Sequence, residues 1–409
     1  MSPVAKTFAA AAVLAALAGV GTPVTEAEPP IRIGASLSQT GAYAALGQNQ
    51  LRGYQLCVKH TNDKGGVLGR KLELVVEDDH SELPTAIRIY ERLITQDRVD
   101  LVLGPYGSPI SEAVADVNEK HRMPMVAPVA ATTSIYRKGR QFIFGMLPAA
   151  EDYLEGLIDL AARRGLRTVV VINVDELFAR TTARGTIELA RRKGLQVLFA
   201  DSYPLGNSDF SALIARVRAA DPDVLAAATR FDDAVAIVRQ LKASNVNPRM
   251  YGLTVGVDTA KFQHVLGRDA EFVYGATPWA PELVEVRAGG LIPIARQYPG
   301  AREFLESHRK EFAGADLSYH TAAGYGGCQI LVEAIRRAGS LDVEKLRDAI
   351  LKMNHNTVFG AFKVDPDGFQ IAHKMVMFQW QDGKKVIVWP EELAPGKPRF
   401  PTPPWSQRR

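Results

Sequence analysis

Short apolar runs alternate along this chain with longer stretches in which apolar residues recur every three or four positions. Residues 31–37 (IRIGASL) read as a buried strand that ends in the polar loop Ser38-Gln39-Thr40-Gly41-Ala42-Tyr43. A helical pattern follows over 47–62 and stops at Gly65-Gly66. Residues 71–78 predict a second strand, with Leu72, Leu74 and Val76 alternating. The series continues with a helix over 84–96, a strand over 99–104, a helix over 111–121 and a strand over 125–128. Strands and helices alternating at this spacing predict βαβ units, hence a parallel sheet covered by helices on both faces. Right-handed crossovers then make it a doubly wound open sheet.

The rhythm restarts near residue 150. Helices are predicted over 153–164, 181–193, 210–219 and 232–244, and strands over 168–173, 196–201, 223–228 and 250–254. Two successive α/β units of similar size predict two similar lobes. After Trp279 the pattern changes: Pro293, Pro299 and Gly300 punctuate a linker, and helices follow over 301–312, 321–339 and 343–353. Two strand-like runs over 375–380 and 385–389 flank Asp382-Gly383 and predict an antiparallel tail, and the Pro-rich end from Ala394 should be extended and superficial.

Composition adds limits. The chain has 409 residues, enough for two domains, and is 46% hydrophobic and 23% charged. Its formal charge of +4 is spread thinly, which gives little reason to expect nucleic acid or a membrane surface as partner. Lys6, the apolar stretch 8–20 and the small-residue site Thr25-Glu26-Ala27 read as a secretory signal peptide over 1–27, with an uncleaved anchor as the alternative. No cysteine lies near that site to carry a lipid. The expected location is therefore the periplasm. Cys57 and Cys328 have two readings, a disulfide in an oxidising compartment or two small core residues on amphipathic helices.

Catalytic signatures are absent: there is no G-x-x-x-x-G-K-[ST], H-E-x-x-H, C-x-x-C or G-x-S-x-G. The eight histidines show no metal-binding spacing, and no cofactor is expected. Asp78-Asp79 and Asp232-Asp233 read as caps and solvated loop residues. The informative segments follow the strands, where open α/β sheets bind ligands. They are Ser38 to Tyr43, Gly107-Ser108-Pro109-Ile110-Ser111 and Val129-Ala130-Ala131-Thr132-Thr133-Ser134. A hydroxyl in such a loop can simply cap a helix, but three on one rim favour an anion site, for which a carboxylate is the natural guest. The second unit offers Phe178, Arg230, Phe231, Thr254 and Val255 at the matching places.

The segments 33–41 (IGASLSQTG) and 62–72 (NDKGGVLGRKL), Gly53, Asp78-Asp79, Gly104-Pro105 with Ser108, Asp209-Phe210-Ser211, Pro222-Asp223, Phe359-Gly360 and Asp365-Pro366-Asp367-Gly368 resemble the leucine/isoleucine/valine-binding protein family of periplasmic receptors. The resemblance spans nearly the whole chain beyond the leader. It implies a type I periplasmic-binding fold: two doubly wound α/β lobes joined by a three-strand hinge and closing on a ligand. On that pattern residues 28–147 and 277–355 form the first lobe, 148–276 and 356–390 the second, and 391–409 a tail. It also implies service to the membrane permease of an ABC importer. A monomer is expected, and with no nucleophile–base pair or metal set in the sequence no enzymatic activity is expected.

The resemblance places Ser108, Ala130 and Thr132, with Thr133 beside them, at the ligand carboxylate. It places Tyr43 and Leu46 against the ligand body, and Phe178 where relatives often carry tyrosine. One departure changes the expected ligand. Amino-acid receptors of the family carry an acid just after the strand that ends here at Thr254, whereas this chain has Thr254-Val255-Gly256-Val257 and only later Asp258. Arg230 also stands where aromatic residues are common. A buried ammonium without an acidic partner costs several kcal/mol. An aromatic or other apolar carboxylate is therefore expected, bound among Tyr43, Phe178, Arg230, Phe231 and Thr254. The alternatives are a branched-chain amino acid receptor, with Asp258 as the acid, and the ligand-sensing module of a signalling system.

Overall fold

The computed structural model describes residues 28–285, 297–391 and 394–408. The leader expected over 1–27 and Pro293 of the linker lie outside them.

The first sheet is parallel throughout, in the order β2-β1-β3-β4-β5, from β1 (Ile31–Leu37), β2 (Leu72–Asp78), β3 (Leu101–Leu103), β4 (Met125–Ala127) and β5 (Ile143–Gly145). Helices α1 (Ala44–Asp63), α2 (Leu83–Thr95) and α3 (Gly107–Lys120) connect its first four strands. The chain then crosses to α4 (Glu155–Arg163), β6 (Thr168–Val174), α5 (Leu177–Arg192), β7 (Gln196–Tyr203), α6 (Ser211–Ala220), β8 (Val224–Ala228), α7 (Phe231–Ala243), β9 (Met250–Leu253), α8 (Ala260–Leu266) and β10 (Tyr274–Thr277). It returns through α9 (Pro281–Glu285), α10 (Ala301–Glu311), α11 (Tyr319–Ala338) and α12 (Val343–Leu351) to a small hairpin, β11 (Asn354–Thr357) and β12 (Gly360–Lys363). Strands β13 (Val376–Gln381) and β14 (Lys384–Trp389) finish the second sheet, ordered β14-β13-β10-β9-β8-β6-β7. The two lobes expected of a type I periplasmic-binding fold are these two sheets with their helices, the second carrying an antiparallel edge.

Strand interiors are apolar on both faces because helices cover both: Val169, Val170, Val171 and Ile172 of β6 are buried, as are Leu101, Val102 and Leu103 of β3. Short elements such as β5, β10 and α8 escape the sequence pattern. Runs of three to seven residues are too brief to show a period. Helices α3, α5 and α11 begin two to four residues earlier than predicted, at Gly107, Leu177 and Tyr319. Ser108 and Phe178 consequently sit inside first turns, and Ser111 at the start of a second, rather than in loops. Gly107 opens α3 at φ 78°, a conformation that a side chain resists.

Beyond β12, the turn at 365–368 packs on the first sheet, where the Gly145 N–H donates to the Gly368 carbonyl at 2.8 Å. This part of the segment 356–390, expected with the second lobe, therefore lies beside β5, and β13 is where the second sheet resumes. The tail is extended but not free. The Thr402 N–H donates to the Arg249 carbonyl at 3.0 Å, Trp405 Nε1 to the Val246 carbonyl at 2.9 Å, and Arg408 Nη1 to Tyr251 Oη at 2.6 Å, with Arg408 buried.

Helices α1 and α11 cross so closely that a Cβ on Gly53 would meet the Thr321 carbonyl at 2.2 Å, and one on Gly324 the Gln50 carbonyl at 2.5 Å. Cys57 and Cys328 are bonded to each other across this crossing, over a sequence separation of 271. That settles the disulfide reading. Removing the bridge frees a very long loop in the unfolded chain, so Cys57→Ala/Cys328→Ala should lose about 2–4 kcal/mol of stability in urea unfolding.

Candidate functional site

The carboxyl ends of the two sheets face each other, and residues from both lobes touch there. Tyr43, ahead of α1, donates its hydroxyl to Glu176 Oε2 at 2.9 Å. Glu176 precedes α5 in the second lobe. Arg230, the N-cap of α7, donates from Nη1 to Tyr106 Oη of the first lobe at 3.2 Å. Arg230 Nη2 and Glu176 Oε1 pair at 2.5 Å, with side chains only 11% and 6% exposed. Their alignment falls short of a hydrogen bond, and Arg230 Nε, also buried, has no partner. The guanidinium lies over three rings, 5.2 Å from Tyr43, 5.9 Å from Tyr106 and 5.3 Å from Phe178. Burial pulls the Arg230 pKa down, but the facing Glu176 carboxylate outweighs it and holds the value above the ordinary range.

Tyr106 and Arg230 form the wall between two cavities. The inner one, about 10 Å³, is enclosed by Ser108, Ala131, Tyr153, Phe178, Tyr319 and His320 among others. The outer one, about 450 Å³, lies between the Gly41–Leu46 segment, the 205–208 loop and the start of α7, with Lys261 at its edge. Phe178 meets Tyr153 edge-on at 4.9 Å, and His320 stacks on Tyr319 at 3.8 Å. Burial and the Arg230 charge push the His320 pKa far down, so its imidazole is neutral. A larger hollow of about 640 Å³, lined by His308, Phe312 and Lys385, lies away from the loops where the strands of both sheets end.

Of the residues singled out in the sequence, Tyr43, Ser108, Phe178 and Arg230 line these cavities, and Leu46 and Phe231 line the outer one. Ser108 Oγ accepts the Ala131 and Thr132 N–H groups at 3.1 and 3.2 Å, which leaves its own proton free to donate. Thr132 lines neither cavity, but its Oγ1 is buried without a partner. Ala130 is fully buried and lines neither cavity, its carbonyl accepting Tyr136 Oη at 2.8 Å.

Three expectations change. Thr133 Oγ1 donates to Glu151 at 2.7 Å and lines neither cavity. Thr254 Oγ1 accepts from Thr229 N–H at 3.0 Å and donates to the Thr229 carbonyl at 3.1 Å, tying two strand ends together. Val255, next to it, reaches the inner cavity instead. The hydroxyls after β1 are not free for a ligand either. Ser36 and Ser38 donate to Asp79, and Thr40 donates to Asp78. Asp79 is fully buried, so this acidic pair is the brace of the first loop rather than a solvated cap.

Tyr106, Tyr153, Glu176, Tyr319 and His320 went unnoticed in the sequence. Tyr106 follows Gly104-Pro105 at a strand end and Glu176 stands two residues before Phe178, so both carried a positional signal. Tyr319 and His320 come from a distant helix and carried none. Asp258 is buried with Oδ1 unpartnered, and its backbone carbonyl accepts Lys385 Nζ at 2.9 Å. It lines neither cavity. Among the described residues, no set of side chains could hold a metal ion and no helix is long and apolar enough to cross a membrane.

The pattern of the family described as periplasmic binding protein matches residues 30–385. This chain belongs to that family. It is similar to a Leu/Ile/Val-binding protein homolog 7 of Brucella melitensis, at 25% identity over 97% of this chain and 99% of that protein. The leucine binding protein LivK of Thermotoga maritima has the same fold, with a TM-score of 0.76 and 24% identity over 88% of this chain and 97% of its own. So has an ABC-transporter solute binding protein of R. palustris solved with benzoate, with a TM-score of 0.74 and 18% identity over 92% and 97%.

Burial raises the Asp258 pKa to about 6, against the pull of Lys385 and the Tyr319 backbone. A carboxyl raised above its unfolded value stabilises fully below that value and loses this contribution as pH rises through about 6. Asp258→Asn should therefore gain about 1–3 kcal/mol over the parent at pH 8, the gain vanishing below about pH 4. Thermal unfolding across that range checks it.

Proposed function

We propose that this protein is the periplasmic receptor of an ABC importer and binds a small organic carboxylate with an aromatic or other apolar body between its lobes. The observation that carries this reading is Arg230, a buried cation that lines both cavities: the inner lining holds no carboxylate among the described residues, and the outer one holds Asp232 and Asp233 at the start of α7. A ligand ammonium would find Glu176 already engaged by Tyr43 and Arg230, and Asp258 outside both linings, behind Tyr319. The branched-chain amino acid reading therefore lacks its counter-charge. An aromatic body matches Tyr43, Tyr106, Tyr153 and Phe178, and the benzoate-bound relative shares the fold.

Ligand would meet the first lobe at the free Ser108 hydroxyl proton and Thr132 Oγ1. The second lobe would then close through Arg230 and Phe178, contacts that exist only when both lobes meet. A closed form held by these contacts is what a permease would read. Sharing the site between lobes makes affinity and closure one equilibrium.

The test is a thermal-shift screen of refolded protein against benzoate, 3,4-dihydroxybenzoate, leucine, isoleucine and valine. A carboxylate at about a hundred times its Kd should add about 2.7 kcal/mol, a shift of a few degrees. Ser108→Ala should then weaken binding about 5- to 30-fold and Arg230→Ala more, because a charged hydrogen bond is lost. A shift with the amino acids alone overturns the ligand assignment.

A further inference from the structure

The charge balance of the cleft goes further than the ligand's general class. Arg230 is a buried cation matched one-to-one by Glu176, which is more buried still. Among the described residues lining the two cavities, the other charged groups supply no further buried cation. Asp233 accepts the Tyr203 hydroxyl at 2.5 Å and the Arg230 N–H at 2.7 Å. Lys261 and Asp232 are exposed at the outer edge, with the Lys261 ammonium 4.8 Å from the centre of the Phe231 ring. His320 is neutral. A ligand carboxylate is thus met by hydrogen-bond donors and by an arginine whose charge is already compensated.

We propose that Glu176 is a specificity-determining residue that limits this receptor to ligands bearing one negative charge. This rests on the carboxylate reading above and sharpens it. One carboxylate at Ser108, Thr132 and Arg230 Nε is hydrogen-bonded. A second one in the same enclosure would meet aromatic walls, with the Glu176 carboxylate directly behind Arg230 and no cation left to pair with it. Neutralising Glu176 leaves the Arg230 charge unmatched, and the cleft then welcomes a second negative charge. Glutamine keeps the size of the side chain and can still accept the Tyr43 hydroxyl, so the contact between lobes survives. Aspartate keeps the charge and should keep the selectivity.

The experiment is calorimetric titration of the full mature protein and its Glu176→Gln and Glu176→Asp variants with benzoate, 4-carbamoylbenzoate and terephthalate. The last two share a shape and differ by one charge. Wild type should prefer 4-carbamoylbenzoate over terephthalate by about a hundredfold, a ratio set by burying an unpaired charge. Glu176→Gln should narrow that ratio by about tenfold, mainly by gaining terephthalate affinity, while Glu176→Asp stays near wild type. Equal wild-type affinity for the two probes overturns the proposal, as does a ratio unmoved in Glu176→Gln. Binding of benzoate without 4-carbamoylbenzoate also overturns it, because shape would then set the limit. If wild type binds none of the three, the carboxylate reading itself fails and this inference falls with it.

Discussion

An arginine and a glutamate buried against each other between two sheets govern how this molecule is put together at its centre. Arg230 and Glu176 both belong to the second lobe, yet each reaches a tyrosine of the first, Tyr106 and Tyr43. A buried ion pair contributes little net stability, since desolvation costs about as much as attraction returns. Its value here is positional. It holds a charged donor in a ring-lined enclosure, aimed at the place where the strand ends of both sheets converge.

Much of the remaining structure keeps those strand ends in register. Asp78 and Asp79 hold the loop after β1 through five hydrogen bonds from Ser36, Gln39, Thr40 and Ser38, which leaves Tyr43 as that loop's contribution to the cleft. On the same lobe, Gln50 and Tyr54 of α1 both donate to the Gly104 carbonyl, fixing the end of β3 just ahead of Tyr106. The glycine-lined crossing of α1 and α11 and its disulfide carry Tyr319 and His320 to the inner cavity. In the second lobe, the Thr254–Thr229 pair aligns the strand end from which Arg230 departs. Residues read as ligand contacts thus turn out to hold strand ends and loops in place.

The α/β alternation, the restart near residue 150 and the places where strands end were legible in the sequence, because buried parallel strands and amphipathic helices leave patterns that need no knowledge of partners. The same patterns pointed to Tyr43, Ser108, Phe178 and Arg230, each just beyond a strand. Strands of three or four residues such as β5 and β10 leave no pattern, so the chain's crossings between lobes were harder to place.

What the sequence by itself determined was therefore the fold and the rim on which a ligand site belongs, since both follow from local periodicity and chain direction. Which hydroxyl or charge on that rim faces the cleft was decided by tertiary structure alone. Ser38, Thr40 and Thr254 are chemically as fit to bind an anion as Ser108, but distant residues claim their hydrogen bonds. Glu176 reads as an ordinary loop acid until Arg230, 54 positions later in the numbering, is folded against it. Hydrogen bonds and ion pairs are made between neighbours in space, and only the folded chain says who those neighbours are.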